Sequence, residues 1–478
     1  MSAMLLWIAL PALIGLTLIA IGARYPWIRF AGLAFAGGLA LAGLLVPLEN
    51  PFAIGPLRVM IRSETIVLGR SFFIGTGLAR VIGASYGALT LWGFGAQALK
   101  THRFFLPSGM IATAFLCAGL SVQPSQFAGI FVLLAVLVLI PLLVPPGAPA
   151  SSGVLRFLAF QAIGVPFFVF AGTLLEGLES IPAGLSLTLR PGIFLGLSFI
   201  FLLAIFPFHG WIPGLTEEYD PFSTGFILVL LPGFIGVLGL QMVDRYAFLR
   251  GSEEFFTLVR TVGILSTSAG AALILVQRHA GRILGYAVLI ETGMLLIAVG
   301  TGPAAGPELF FPLFAARSAG FLVWSGGLSG MRRRAISLRF EEMRGSLAAH
   351  PVVCTAVLVG TFSTAGFPLL AGFPARLRLT AALADIDPTA VLAIWLGMAA
   401  AAVAGARTIT AMAAPPDPEA AGGGEASGPD DVSSARSQAP LRLFLAGGSL
   451  LLLVFGLFPG WIAWLAATMP AAFERLAR

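Results

Sequence analysis

Residues 205–226 read IFPFHGWIPGLTEEYDPFSTGF and lie between two long apolar segments. A simple membrane crossing has no use for Pro207, Pro213, Pro221, His209 and three carboxylates (Glu217, Glu218, Asp220) within about six helical turns. Each proline removes a backbone donor and disfavours helix at the preceding residue, so the seventh apolar segment ends in an interrupted helix. Broken backbone at membrane depth leaves polar groups that hydrocarbon cannot satisfy, and it persists only where protein or a wet cavity surrounds it. A second interruption is predicted in TFSTAGFPLLAGFPARLRL, residues 361–379, where Gly366, Pro368, Gly372 and Pro374 punctuate the twelfth segment. Two broken helices in similar positions of successive five-helix blocks point to paired repeats meeting at an ion pathway. Two proline kinks in a passive bundle are the plainer reading.

Composition sets the frame. Of 478 residues 58% are hydrophobic and only 10% charged, where soluble domains are about a quarter charged. The chain reads as an all-α integral membrane protein of about fourteen spans. They fall near residues 4–22, 28–47, 78–98, 104–121, 126–145, 154–175, 192–208, 222–241, 256–277, 282–300, 307–330, 351–370, 386–413 and 441–467. No strand-like alternation suggests a barrel. Residues 48–77 are too broken to span and read as an extended hairpin on the membrane surface. Residues 414–440 are rich in Pro, Gly, Ser and acids and read as a flexible linker to the last helix, within 441–478. The first segment lacks a basic leader and reads as a retained spanning helix. The domain plan is therefore 1–100, a first repeat over 101–241, a second over 256–413, the linker and the C-terminal helix.

The net charge of +6 reports topology and not a nucleic-acid partner, because Arg and Lys cluster in loops after odd-numbered helices. Arg24, Arg29, Lys100, Arg103, Arg156, Arg278, Arg282 and the run from Arg332 to Arg344 follow this pattern. It places odd loops in the cytoplasm and both termini on the outer side of a multi-pass inner membrane protein. Cys117 and Cys354 sit alone in apolar segments, the four histidines are scattered, and no phosphate loop is present. No cofactor, metal or catalytic site of its own is expected, so any redox chemistry belongs to partner subunits.

PFHGWIP with its acidic loop and PFST resembles the PxHxWLPDA…APxPVS segment of the antiporter-like, proton-conducting membrane subunits of respiratory complex I, shared with Mrp antiporters and membrane-bound hydrogenases. RILGYAVLIETGMLLIAVGTG (282–302) resembles that family's KRLLAYSSIxHxGxxLL helix, and GFPLLAGFPARLRL resembles its GxPPLxGFxxKxxL segment. The similarity runs from about the third to the thirteenth helix. It implies fourteen helices, with helices four to eight and nine to thirteen as inverted repeats and helices seven and twelve discontinuous. It also implies protons or sodium as the ion moved, other membrane subunits and peripheral iron–sulfur subunits as partners, and no cofactor in this chain.

Ion movement through apolar protein needs buried ionisable groups linked by water. The resemblance implies a lysine in helix seven paired with a glutamate in helix five, and a lysine or histidine chain through helix eight toward helix twelve; here Leu202 stands at the helix-seven lysine, helix eight has no charge, helix five has no acid, and Lys100, in a loop, is the only lysine. Remaining pathway candidates are Glu291 in helix ten, Arg317 in helix eleven, His209 beside the first break, Arg376 after the second and Arg407 toward the end of helix thirteen. An isolated charge costs about 2.5 kcal/mol or more at membrane depth, so Glu291 and Arg317 are expected to pair. That pair serves equally as a structural lock or an ion site. His209 could hydrogen-bond the broken backbone; Arg376, Arg378 and Arg407 could snorkel to headgroups or pair with carbonyls. The functional expectation is a membrane subunit of a redox-driven ion-translocating complex with reduced conduction. A non-conducting structural subunit and a stand-alone secondary transporter stay open.

Overall fold

Long runs of Leu, Ala, Phe and Ile form helices because in lipid each backbone N–H and C=O must close a hydrogen bond within its own segment. The computed structural model describes the chain except residues 23, 26, 55, 56, 146, 182–185, 417–430 and 477–478. Three N-terminal helices, α1 (Leu10–Ile21), α2 (Ile28–Leu45) and α3 (Thr76–Ala98), precede the repeats. The first repeat comprises α4 (Phe105–Ser121), α5 (Ala128–Leu143), α6 (Ser152–Leu175), the broken pair α7 (Ser186–Leu202) and α8 (Trp211–Glu218), and α9 (Pro221–Arg245). A single turn, α10 (Ala247–Arg250), leads to the second repeat: α11 (Glu253–Leu275), α12 (Ala280–Val299) and α13 (Ala305–Arg332). After the short α14 (Ser346–Ala349) come the broken pair α15 (Pro351–Thr364) and α16 (Gly372–Leu383), then α17 (Pro388–Ala413). Among the described residues nine helices are long and apolar enough to cross a bilayer, and the shorter apolar helices include α4, α7 and α15.

Three expectations change in detail. The interval 48–77 holds two antiparallel hairpins, Phe52–Ile54 with Leu57–Val59 and Glu64–Val67 with Arg70–Phe73, and the latter gains a third strand from Val122–Gln123. α18 (Asp431–Leu457) begins inside the predicted linker, whose residues 417–430 lie outside the described part of the chain. The last expected span is interrupted before α19 (Gly460–Ala467), at Phe458 and Pro459.

Both breaks are built alike. α7 ends with Ala204 in the left-handed region (φ 55°), and the Ile205 and Ala204 amides donate back to the Ile200 and Phe201 carbonyls at 3.1 and 3.3 Å. α15 ends with Gly366 at φ 71°, and the Phe367 and Gly366 amides donate to Phe362 and Ser363 at 2.9 and 3.1 Å. Each is a Schellman cap; the second adds the usual apolar contact, Phe362 against Phe367 with ring centroids 5.5 Å apart. Pro213 and Pro374 occupy the third residue of α8 and α16, where no intrahelical donor is required. The following helices also start alike: Asp220 caps α9 ahead of Pro221, and Asp387 caps α17 ahead of Pro388.

The two breaks differ at the left-handed residue, and only one of them has glycine. A side chain there costs about 1–2 kcal/mol, so Ala204→Gly is expected to raise the thermal unfolding midpoint in detergent. Gly366→Ala is expected to lower it, because the new Cβ would also lie 2.7 Å from Arg376 Cδ. Circular dichroism melts check both signs.

Candidate functional site

Among the nine long spans the most enclosed are α9, α12 and α13, with 83, 78 and 67% of their apolar windows buried, against 33% for α11. Charge in the middle of these three helices therefore faces protein and not lipid. Glu291 lies in α12, Arg317 in α13 and Arg376 in α16; all three are almost wholly buried.

The charged pair is not the expected one. Glu291 Oε1 accepts from Arg376 Nη2 in a short buried ion pair. Arg317 instead donates from Nη1 to the hydroxyl of Thr292, 3.2 Å, and from Nη2 to the Leu228 carbonyl in α9, 3.0 Å. The cause lies in α9: Pro232, one turn after Leu228, has no N–H to offer that carbonyl. Arg317 supplies the missing donor and ties α9, α12 and α13 together.

Arg376 has a similar task at the second break. Beyond Glu291 it donates to Thr364 at 2.6 Å, to Gly372 at 2.7 Å and, at the 3.5 Å limit, to Ser363. Thr364 is the last residue of α15, and its carbonyl is left without a helical donor where the chain unwinds. A side chain at Gly372 would overlap both the Ser363 carbonyl and the Arg376 guanidinium, so the guanidinium reaches the break only because position 372 is glycine. The snorkelling reading of Arg376 does not hold, since the side chain points into the protein and is 1% exposed.

The corresponding carbonyl in the first repeat, Leu202 at the end of α7, accepts from the Gln161 amide of α6 at 3.2 Å. One break is thus closed by a neutral group and the other by a cation with its counter-ion. Gln161 and Thr292 escaped the reading of the sequence. The available signal was indirect: a lone amide in a spanning helix, and a proline inside another whose freed carbonyl needs a partner.

The other candidates lie apart from this cluster. His209 sits in the first break with its ring against Phe206 and Tyr286, centroids 5.5 and 6.1 Å away, and its Nδ1 has no protein partner. Arg407 donates to the Leu275 carbonyl at the end of α11 and lies over the Phe340 ring. The three acids of the opening stretch are tethers. Glu217 pairs with Arg282 at 2.6 Å, Glu218 accepts from the Ser151 hydroxyl, and Asp220 accepts from the Ser223 amide at 3.0 Å and from the Ser329 hydroxyl. Among the described residues no group of His, Cys, Asp and Glu could hold a metal ion.

Paired broken helices around a buried charge cluster are an arrangement common in membrane transport proteins. Comparison with known proteins finds chains of similar sequence and fold. Residues 186–401 match the family model described as NADH:quinone oxidoreductase/Mrp antiporter, TM. NADH-quinone oxidoreductase subunit N of Dehalococcoides mccartyi is 24% identical over 277 residues, 53% of this chain. The chain spans about half the length of the curated relatives it matches, 56% in that case. A subunit of the Mrp complex from Dietzia sp. DQ12-45-1b superposes with a TM-score of 0.81 at 16% identity, over 100% of this chain and 99% of that one. A chain of respiratory complex I from Thermus thermophilus with bound NADH gives 0.71 at 19% identity, over 99 and 100%. The likeness to that family is carried by residues 186–401, and the fold along nearly the whole chain is shared with chains of the Mrp complex and of complex I.

Two double-variant experiments test the cluster. Arg317→Met orphans the Leu228 carbonyl and is expected to cost about 1–3 kcal/mol; adding Pro232→Ala restores a donor and should recover part of the loss. Arg376→Met leaves Glu291 buried and unpaired, at a cost of about 3–5 kcal/mol, whereas Arg376→Met with Glu291→Leu should recover much of it. Unfolding midpoints of singles and doubles are compared; additive losses contradict the pairings.

Proposed function

We propose that the chain is a membrane subunit of a redox-driven ion-translocating complex in the inner membrane. It takes part in coupling electron transfer, carried out by iron–sulfur partner subunits, to movement of protons or sodium ions. Its membrane-embedded relatives come from multi-subunit complexes, which supports other membrane subunits as its neighbours. The observation that carries the reading is the Glu291–Arg376 pair held against the broken end of α15. A carboxylate there can exchange a proton only if Arg376 gives it up, and Arg376 has carbonyl acceptors ready to keep it in place when it does. Ion movement in this reading runs through Glu291, Arg376 and Arg317, with Thr292 beside them as the connection toward the first repeat. In this reading the first repeat conducts little, since its break is closed by the neutral Gln161. Both termini face the outer side, following the distribution of Arg in the loops.

A second reading, a subunit that keeps the fold and moves no ions, is favoured by one observation: both buried arginines are engaged with backbone carbonyls, as structural caps would be.

The two separate in vesicles reconstituted with the whole complex. Glu291→Gln removes the carboxyl group while keeping an acceptor for Arg376, and it is expected to lower redox-driven ion uptake about ten-fold, roughly 1.4 kcal/mol in a barrier. Gln161→Leu should leave uptake near the wild-type level. Unchanged uptake in Glu291→Gln, with electron transfer intact, establishes the structural reading.

A further inference from the structure

At the first helix break, where α6, α8 and α9 meet, a small cavity offers about 10 Å³ of room to the centre of a water molecule. Gln161, Leu202, Trp211, Leu228 and Pro232 stand in its wall, and the remainder is aliphatic. Two of these side chains carry buried polar atoms with no partner in the protein, the Gln161 Oε1 acceptor and the Trp211 Nε1 donor. Gln161 is 1% and Trp211 3% exposed, so neither atom reaches the surrounding solvent. The Gln161 amide is fixed in orientation, because its Nε2 donates to the Leu202 carbonyl and leaves Oε1 as the free end. The Leu228 carbonyl, freed by Pro232, accepts from Arg317 and keeps a second lone pair.

We propose that this cavity is a binding site for one structural water molecule, which accepts from Trp211 Nε1 and donates to Gln161 Oε1 and to the Leu228 carbonyl. The chemistry of the free atoms selects the ligand. One is a donor and the other an acceptor, so a cation would face the indole N–H, an anion would face two oxygens, and an apolar group would pair with neither. Water meets both demands, and about three partners is the usual number for a buried water. Space agrees: a water needs about 10–15 Å³ counted over the whole sphere it fills, and the room for its centre alone is already of that size. The position gives the water a task. Gln161 closes the end of α7, and Trp211 is the first residue of α8, so the bridge spans the break and fixes its two halves to each other. Its third contact ties them to the α9 carbonyl that Arg317 holds. Indole, amide and peptide carbonyl all keep their protons near neutral pH, so this water stabilises the break without passing ions. The site stands or falls independently of ion movement.

The test is a pair of cryo-electron microscopy maps of the complex in nanodiscs, wild type and Trp211→Phe, at a resolution that shows ordered water. One spherical density is expected in the wild type, roughly 2.7–3.2 Å from both Trp211 Nε1 and Gln161 Oε1. It is expected to vanish in Trp211→Phe while the Gln161–Leu202 hydrogen bond remains. Unfolding midpoints of Trp211→Phe, Gln161→Met and the double variant give a second reading that needs no variant map. Because the two side chains share one water, the double variant is expected to lose little more than the larger single loss. A wild-type map without density in the cavity, density touching oxygens alone as a cation would, density unchanged in Trp211→Phe, or midpoint losses that simply add overturns the proposal.

Discussion

A spanning helix that stops inside the membrane leaves carbonyls with nothing to bond, and the structure is organised around meeting that demand twice. Each break first uses its own backbone: the Schellman caps at Ala204 and Gly366 return two amides to the preceding turn. One carbonyl remains on each side, at Leu202 and Thr364, and it must be reached by a side chain from elsewhere. Gln161 serves one and Arg376 the other. A third unsatisfied carbonyl, that of Leu228, arises from the proline inside α9 and is met by Arg317. The buried arginines are thus explained by backbone that cannot otherwise be accommodated in a dry interior.

The choice between an amide and a guanidinium has electrostatic consequences. An amide closes the first break without adding charge. A guanidinium closes the second with stronger, charge-assisted bonds, and it then requires an anion, which Glu291 provides from the neighbouring repeat helix α12. Glu291, among the described residues the one buried carboxylate, is therefore held at a helix end by the same group that stabilises the break. Any change in its protonation alters a contact that the fold relies on, which is how local ionisation can act on the arrangement of α15 and α16.

Much of this was legible in the residues. Prolines and glycines at 207, 213, 221, 366, 368, 372 and 374 marked both breaks, and the apolar runs placed the helices around them, because chain stiffness and donor loss are local properties. The partnership of Glu291 was not legible. Arg317 sits mid-helix at a comparable depth and looked like its natural partner, while Arg376, followed by Arg378 near a short helix, looked free to reach the headgroups. What reverses the assignment is the direction of α16, which re-enters the protein after the break, and the space at Gly372 that admits the guanidinium. Neither is a property of spacing along the chain. The equivalent Asp220–Pro221 and Asp387–Pro388 helix starts went unread in the sequence, and they strengthen the case for paired repeats.

The most direct test is a high-resolution cryo-electron microscopy map of the complex in a lipid bilayer, read at residues 351–383. The account expects α15 to end at Thr364, with the Arg376 guanidinium resolved between that carbonyl and the Glu291 carboxylate. An unbroken helix through Gly366, or an Arg376 side chain turned toward the lipid headgroups, would contradict it.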